Sequence, residues 1–169
     1  MRLTWRMSNA LSSPEQSAIK TLGWTLMEQL LNKLAEIFKN PTNPLFIHFL
    51  HESIVLLAVT LSKSDPAAFA QVEEKLFPMF RFVLENDAQD LQPYEFQVLS
   101  VLLERYTPPH TLRAEYAQLL PVLVSPTLWE RRGNVPGLAR VISQLLRFNS
   151  QLFTAENNKF LLATLGVFQ

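Results

Sequence analysis

The sequence predicts an all-α fold made of repeated helix pairs. Three observations carry this. Apolar residues recur at three- and four-residue spacing along almost the whole chain. No run alternates at period two, and no Asn-Gly or Asp-Gly hairpin turn occurs. The chain holds 11 Pro against 4 Gly, and the prolines fall where helices begin, a position at which the missing N–H costs nothing.

The elements follow in order. Ser13-Pro14, with Gln16 as capping-box partner, starts a first helix through Ile19, Leu22, Leu26, Leu30, Leu34, Ile37 and Phe38. Gly23 is expected to loosen it, and Asn40-Pro41 to end it. Asn43-Pro44 starts a second helix with Phe46, Phe49, Leu50, Ile54, Leu57 and Leu61 on its apolar side. Asp65-Pro66 starts a third, through Phe69, Val72, Leu76, Phe77, Phe80, Val83 and Leu84, in which Pro78 is expected to form a kink. Residues 85–90 read as a loop.

A fourth helix starts at 91–93, carries Phe96, Leu99, Leu102, Leu103 and Tyr106, and is ended by Thr107-Pro108-Pro109. The fifth is expected from Thr111 to Val124. Ser125-Pro126 opens a short turn through Trp129. Asn134 is expected to cap a sixth helix through Leu138, Val141, Ile142, Leu145 and Leu146. A last helix is expected from Thr154 into Leu161, Leu162, Leu165 and Phe168.

Taken in pairs, the helices begin near 44, 93 and 136. That period lies in or just above the ~40–47 residues of HEAT-type repeats. Such pairs cannot bury their apolar faces alone and stack on neighbours. The expected architecture is a HEAT-repeat α-α superhelix, with 1–169 one segment of about three to four repeats, part of a longer solenoid. A self-contained helical bundle is the alternative. The apolar fraction of 48% and a mean hydropathy of +0.08 are high for a small soluble chain. They fit faces meant for neighbours, and exposed apolar ends are expected to cause self-association.

Composition excludes several function classes. Lys+Arg and Asp+Glu are both 15, so no net charge draws nucleic acid or an anionic membrane. With no Cys there is no disulfide framework, thiolate metal site or Cys nucleophile. The N-terminus has no apolar core of signal-peptide length. The most apolar run, Ile54–Val59, is short and follows His48, His51 and Glu52, so no bilayer-spanning segment is expected.

Chemistry-bearing patterns are few. His48-x-x-His51-Glu52 has a spacing zinc can use, but not the zincin order, and no further ligand is evident. The competing reading is a pair of amphipathic histidines. Glu73-Glu74-Lys75 and Asp87/Asp90 are acidic pairs that read as a solvated helix flank and a loop rather than a converging acid–base site. No Ser/His/Asp set, phosphate-binding loop or dinucleotide fingerprint occurs, so neither enzyme activity nor a cofactor is expected. A stand-alone bundle with an apolar ligand pocket or a metal at His48/His51 is the alternative function.

One stretch interrupts the helical pattern: Trp129-Glu130-Arg131-Arg132 ahead of Gly133-Asn134-Val135-Pro136. Gly, Asn and Pro suit a corner between helices. The charged cluster is either a structural clamp, with an Arg pairing Glu130 across the turn, or a partner-facing patch. Trp129, Glu130, Arg131, Arg132 and Asn134, with Arg140 in the following helix, are the candidate partner-binding residues.

At this stretch the chain resembles a known family. LWERRGNVPGLARVI (128–142) is similar to the Leu-Trp-Glu-x-x-Gly-Asn-(Ile/Val)-Pro-Ala segment of the importin-α re-exporters, the CAS-type exportins of the karyopherin-β superfamily. NPLFIHFLHESI (43–54), DPAAFAQVEEKLFPMF (65–80), ENDAQDLQPYEFQVLSVLLE (85–104) and LLATLGVFQ (161–169) resemble further family segments, in the same order. The family has Ala where Gly137 stands, and Thr or Lys at Arg131 or Arg132. Residues 147–160 and 1–12 are divergent.

The resemblance implies a middle segment of a long HEAT superhelix. Such a receptor wraps importin-α together with Ran-GTP, carries it out of the nucleus, and releases it in the cytoplasm on GTP hydrolysis. The implied partners, importin-α and Ran-GTP, belong to the full-length protein, which shuttles between nucleus and cytoplasm. The family's N-terminal Ran site and its C-terminal cargo-gripping part are absent from this stretch. The segment would supply spine, curvature and a secondary contact.

Overall fold

A computed structural model of the chain describes residues 13–39, 43–64, 66–106 and 112–167. Helix dominates and no strand occurs among the described residues, so the all-α expectation holds. The helices are α1 (Ser13–Ile37), α2 (Pro44–Ser64), α3 (Pro66–Glu85), α4 (Gln92–Leu103), α5 (Ala114–Leu123), α6 (Pro126–Trp129), α7 (Val135–Phe148) and α8 (Gln151–Gly166). They fall into two compact units, Met1–Val72 and Glu73–Gln169.

In the first unit α1 packs along α2. Met27 and Leu34 from α1, and Ile47, Leu50, Ile54, Ala58 and Leu61 from α2, are buried. Fully burying each larger aliphatic side chain contributes about 1.5–3 kcal/mol. Gly23 does not loosen α1. A methyl group there would stand 3.0 Å from Leu61 Cδ2, so the missing side chain seats Leu61 against the α1 backbone. α2 starts at Asn43-Pro44 as expected, and Asn43 caps it: its Oδ1 accepts from the Phe46 amide at 3.1 Å. The side chains of the capping box read at Ser13/Gln16 lie outside the described residues, as do Asp65 and the stop at Asn40-Pro41.

One expectation is corrected on α2. Over Pro44–Ser62 its mean hydropathy is 1.8, which is long and apolar enough to cross a membrane. A short uninterrupted run had argued otherwise; the average over the helix outweighs His48, His51 and Glu52. Here one side of that helix is committed to α1, with His51 buried and its Nδ1 2.8 Å from the Ile47 carbonyl.

In the second unit α4 and α7 form the most intimate pair, and α5 packs on α8. The core holds Leu76, Phe80 and Val83 of α3, Phe96, Leu99 and Leu103 of α4, Tyr116 of α5, Leu138, Val141 and Leu145 of α7, and Phe153 of α8. α3 continues through Pro78. It ends in a Schellman-type turn: Ala88 N donates to Val83 O at 3.0 Å, and Asp87 sits at φ 46° where glycine is usual. α5 begins at Ala114, with Arg113 extended before it; Thr111 lies outside the described residues, as do Thr107, Pro108 and Pro109. α8 begins at Gln151 rather than Thr154, because α7 stops at Phe148 and the backbone turns at once through Asn149 and Ser150.

Candidate functional site

The interruption in the helical pattern folds as a braced corner. Pro126 fixes the first turn of α6, which carries Trp129 inward to 9% exposure. The indole Nε1 donates to the Leu123 carbonyl at 2.8 Å, satisfying the ring's one polar group. Trp129 therefore anchors α6 to the end of α5 and does not face solvent.

Arg131 is the centre of a clamp. Its Nη1 donates to Asp87 Oδ1 and to Gln92 Oε1, both at 2.8 Å, and its Nη2 donates to Asp87 Oδ2 at 3.1 Å. Gln92, buried at the start of α4, returns an Nε2 donor to Asp87 Oδ1 at 2.9 Å, and Gln89 Nε2 donates to Oδ2 at 3.0 Å. Four donors, led by the Arg131 guanidinium, hold the Asp87 carboxyl well below the usual carboxylate range. The clamp reading is right in kind but not in partner. Arg131 reaches 44 residues back to Asp87, and Glu130 beside it stays exposed.

Asn134 is corrected as well. Its backbone is already helical at φ −78°, ψ −32°, and its side chain makes no cap bond. The buried amide instead donates to Gln92 Oε1 and Leu128 O, each at 3.1 Å. It ties α4, α6 and α7 together. Of the six candidate residues, Trp129 and Asn134 are thus inward-facing, Arg131 is about a third exposed, and Glu130, Arg132 and Arg140 lie on the surface.

Beside the corner lies a cavity of about 270 Å³ between α4 and α7. Pro93, Tyr94 and Gln97 form one wall, Gly133, Pro136 and Arg140 the other. The two helices approach closely at Gly137, where an added Cβ would meet Phe96 Cβ at 2.7 Å. Arg132 and Arg140 have no ion-pair partner among the described residues, whereas Arg131 is matched by Asp87. Set against the exposed Glu130, these two cations leave the balance of charge at the corner positive.

Two other candidates fare differently. Glu73, read as part of a solvated flank, is buried; Tyr106 donates to its Oε1 and Oε2 at 2.8 and 2.9 Å, and Tyr116 to Oε1 at 2.6 Å. Burial pushes its carboxyl up, and the two tyrosine hydrogen bonds only partly oppose this. His48 and His51 do not converge. His51 is buried on its own helix, while His48 Nε2 lies at the surface, 3.5 Å from Glu52 Oε1. No group of three or more His, Cys, Asp or Glu able to hold a metal occurs among the described residues.

One family model, described as CAS/CSE protein, C-terminus, matches residues 11–169 of the chain. The chain belongs to the CAS/CSE protein family. Proteins named Exportin-2 from Mus musculus and Homo sapiens are 43% and 41% identical over 86% of the chain. Exportin-2 from Pagrus major is 40% identical over 91% of it. A solved structure described as the exportin Cse1 in its cargo-free, cytoplasmic state superposes with a TM-score of 0.76 at 26% identity, over 89% of this chain and 15% of that one. The CAS/CSE fold is the HEAT-repeat solenoid, as the helix-pair period implied. The chain spans 15–16% of the length of these Exportin-2 relatives.

Proposed function

We propose that this chain is a protein-binding scaffold segment of an export receptor, one that carries importin-α back to the cytoplasm when Ran-GTP is bound. The single observation that supports the reading most is the match of about 40% identity to Exportin-2 across most of the chain. In this reading residues 1–169 supply three to four HEAT repeats of a longer solenoid, without a catalytic step, in a receptor that moves between nucleus and cytoplasm. Exposed apolar residues such as Leu22 on α1, Phe49 on α2 and Leu162 on α8 suit stacking on adjoining repeats, and drive self-association when left uncovered.

Partner contact falls to the surface charges of the corner: Glu130, Arg132 and Arg140, positioned by the buried Trp129 and Asn134 and by the clamped Arg131. The test is binding by the receptor that contains this segment. Importin-α should be retained on it with Ran loaded with GTP and not with GDP. Arg132→Glu with Arg140→Glu should weaken retention severalfold, a change expected mainly in on-rate and salt dependence for rim charges. Equal retention with both nucleotides, or none, overturns the reading.

A further inference from the structure

The second unit carries another surface, unrelated to the corner. α3 and the start of α5 frame an open groove of about 520 Å³. On α3, Glu74, Pro78, Arg81, Phe82 and Glu85 share one face of the helix, and all are exposed. Phe82 stands 44% exposed, in a helix whose Phe77 and Phe80 are buried.

The charges of this groove are not balanced. Its lining sets Glu74, Glu85 and Glu115 against Arg81 and Arg113, a net negative balance in which only Arg113 meets a carboxylate and Arg81 keeps its charge beside neutral Gln118. Arg113 Nη2 donates to Glu115 Oε1 at 2.6 Å while its guanidinium lies 5.7 Å from the Phe77 ring centroid, and Arg81 Nη2 donates to Gln118 Oε1 at 2.5 Å. Glu74 and Glu85 have no ion-pair partner among the described residues. Pro78 has no N–H, so the Glu74 carbonyl loses the donor that residue i+4 normally supplies. It adds an acceptor at the same end of the groove as the Glu74 carboxylate. The floor thus runs acceptor, apolar, acceptor over roughly 16 Å, at 1.5 Å of rise per residue, with the Arg81 guanidinium drawn aside to Gln118 on α5.

We propose that this groove docks a helical segment of a protein partner with a basic–apolar–basic face. One cation pairs with Glu74 and its carbonyl, an apolar side chain rests on Pro78 and Phe82, and a second cation pairs with Glu85. A helix is favoured because its own i, i+11 spacing repeats that of the two glutamates. Arginine suits both ends, since its guanidinium pairs carboxylates and stacks on an aromatic face. The unpaired carboxylates disfavour a nucleic-acid phosphate or an acidic peptide.

The test uses the full chain and a fluorescein-labelled, Ala-based helical peptide with two Arg spaced as Glu74 and Glu85 are, and Leu between them. Fluorescence anisotropy should show saturable binding. Glu74→Lys combined with Glu85→Lys should weaken it about tenfold, the scale of two surface pairs lost and reversed. A matched peptide with Glu in place of Arg should then bind the double variant better than it binds the wild type. Phe82→Ser should weaken the basic peptide while leaving its salt dependence unchanged. All three positions are exposed, so circular dichroism should show the fold intact. No binding of the basic peptide, equal binding of both peptides by the wild type, or equal affinity of wild type and double variant overturns the proposal.

Discussion

Gly137 offers a prediction whose sign depends on which of two opposing terms wins. Replacing a helical Gly by Ala normally stabilises by up to about 1 kcal/mol, through backbone entropy and propensity. Here the new methyl group would lie 2.7 Å from Phe96 Cβ, 3.3 Å from Phe96 C and 3.4 Å from Gln97 N. None of these atoms is the free end of a side chain, so relief requires α4 and α7 to move apart. Overpacking of this kind costs about 1–3 kcal/mol. Gly137 also sits in the first turn of α7, where the propensity gain is smallest. The net expectation for Gly137→Ala is a loss of about 1–2 kcal/mol, or roughly 2–8 °C in Tm for a chain of this size.

Two other glycines calibrate the result. At Gly23 the methyl group would meet only side-chain atoms, Leu61 Cδ2 at 3.0 Å and Leu57 Cδ1 at 3.9 Å among them, and at Gly133 only Pro93 Cγ, at 3.4 Å. Both Ala variants should stay within about 0.5 kcal/mol of wild type. Urea unfolding followed by circular dichroism gives the order directly, as midpoints at constant slope. If Gly137→Ala matched or exceeded the wild-type midpoint, the reading of α4–α7 as a backbone-to-backbone contact would be refuted.

Three further outcomes are expected. The folded state holds the Glu73 proton more tightly than the unfolded chain does, so this group's contribution to stability declines as pH rises from the ordinary 4.5 through its raised value. Glu73→Gln should flatten that part of the stability–pH curve, and parallel curves for the two proteins would count against a buried, destabilised carboxylate. Asp87 behaves oppositely: its stabilisation is present above 3.8 and lost as pH falls, and Asp87→Asn should remove that loss. Asp87→Ala should lower Tm further than Asp87→Asn, because Asn also tolerates φ 46°. Trp129→Phe should cost about 1–3 kcal/mol by leaving the Leu123 carbonyl unpaired; a loss under about 0.5 kcal/mol would mean that water replaces the indole.

The helices were legible because their starts are written locally. Asn43-Pro44, Pro126 and Pro136 each act within one turn, where sequence spacing and spatial distance agree. The corner was legible as an interruption for the same reason. Its wiring was not, because Arg131 and Asp87 are 44 residues apart and nothing in either segment names the other. Asn134 resembles a cap in sequence, but its side chain is turned inward, where Nδ2 donates to Gln92 and Leu128, and it makes no cap bond. Glu73-Glu74-Lys75 looks uniformly solvated; the difference between its first two residues is one helical step of 100°, which turns Glu73 toward Tyr106 and Tyr116 and Glu74 outward. Apolar periodicity marks the buried stripe but cannot tell which polar residue at its edge is drawn in by a distant hydroxyl.

The Arg131 clamp has a mechanical consequence. It joins the turn that closes α3 to the first residue of α4 and to the corner that opens α7, with Asn134 adding a second strut. A layer so cross-braced resists shear: sliding α7 along α4 would break several charge-assisted bonds at once and drive the α7 backbone into Phe96. In a spring assembled from such layers, compliance concentrates wherever the bracing is missing. The α4–α7 layer is therefore a stiff element of the second unit, whose two helices move as one body.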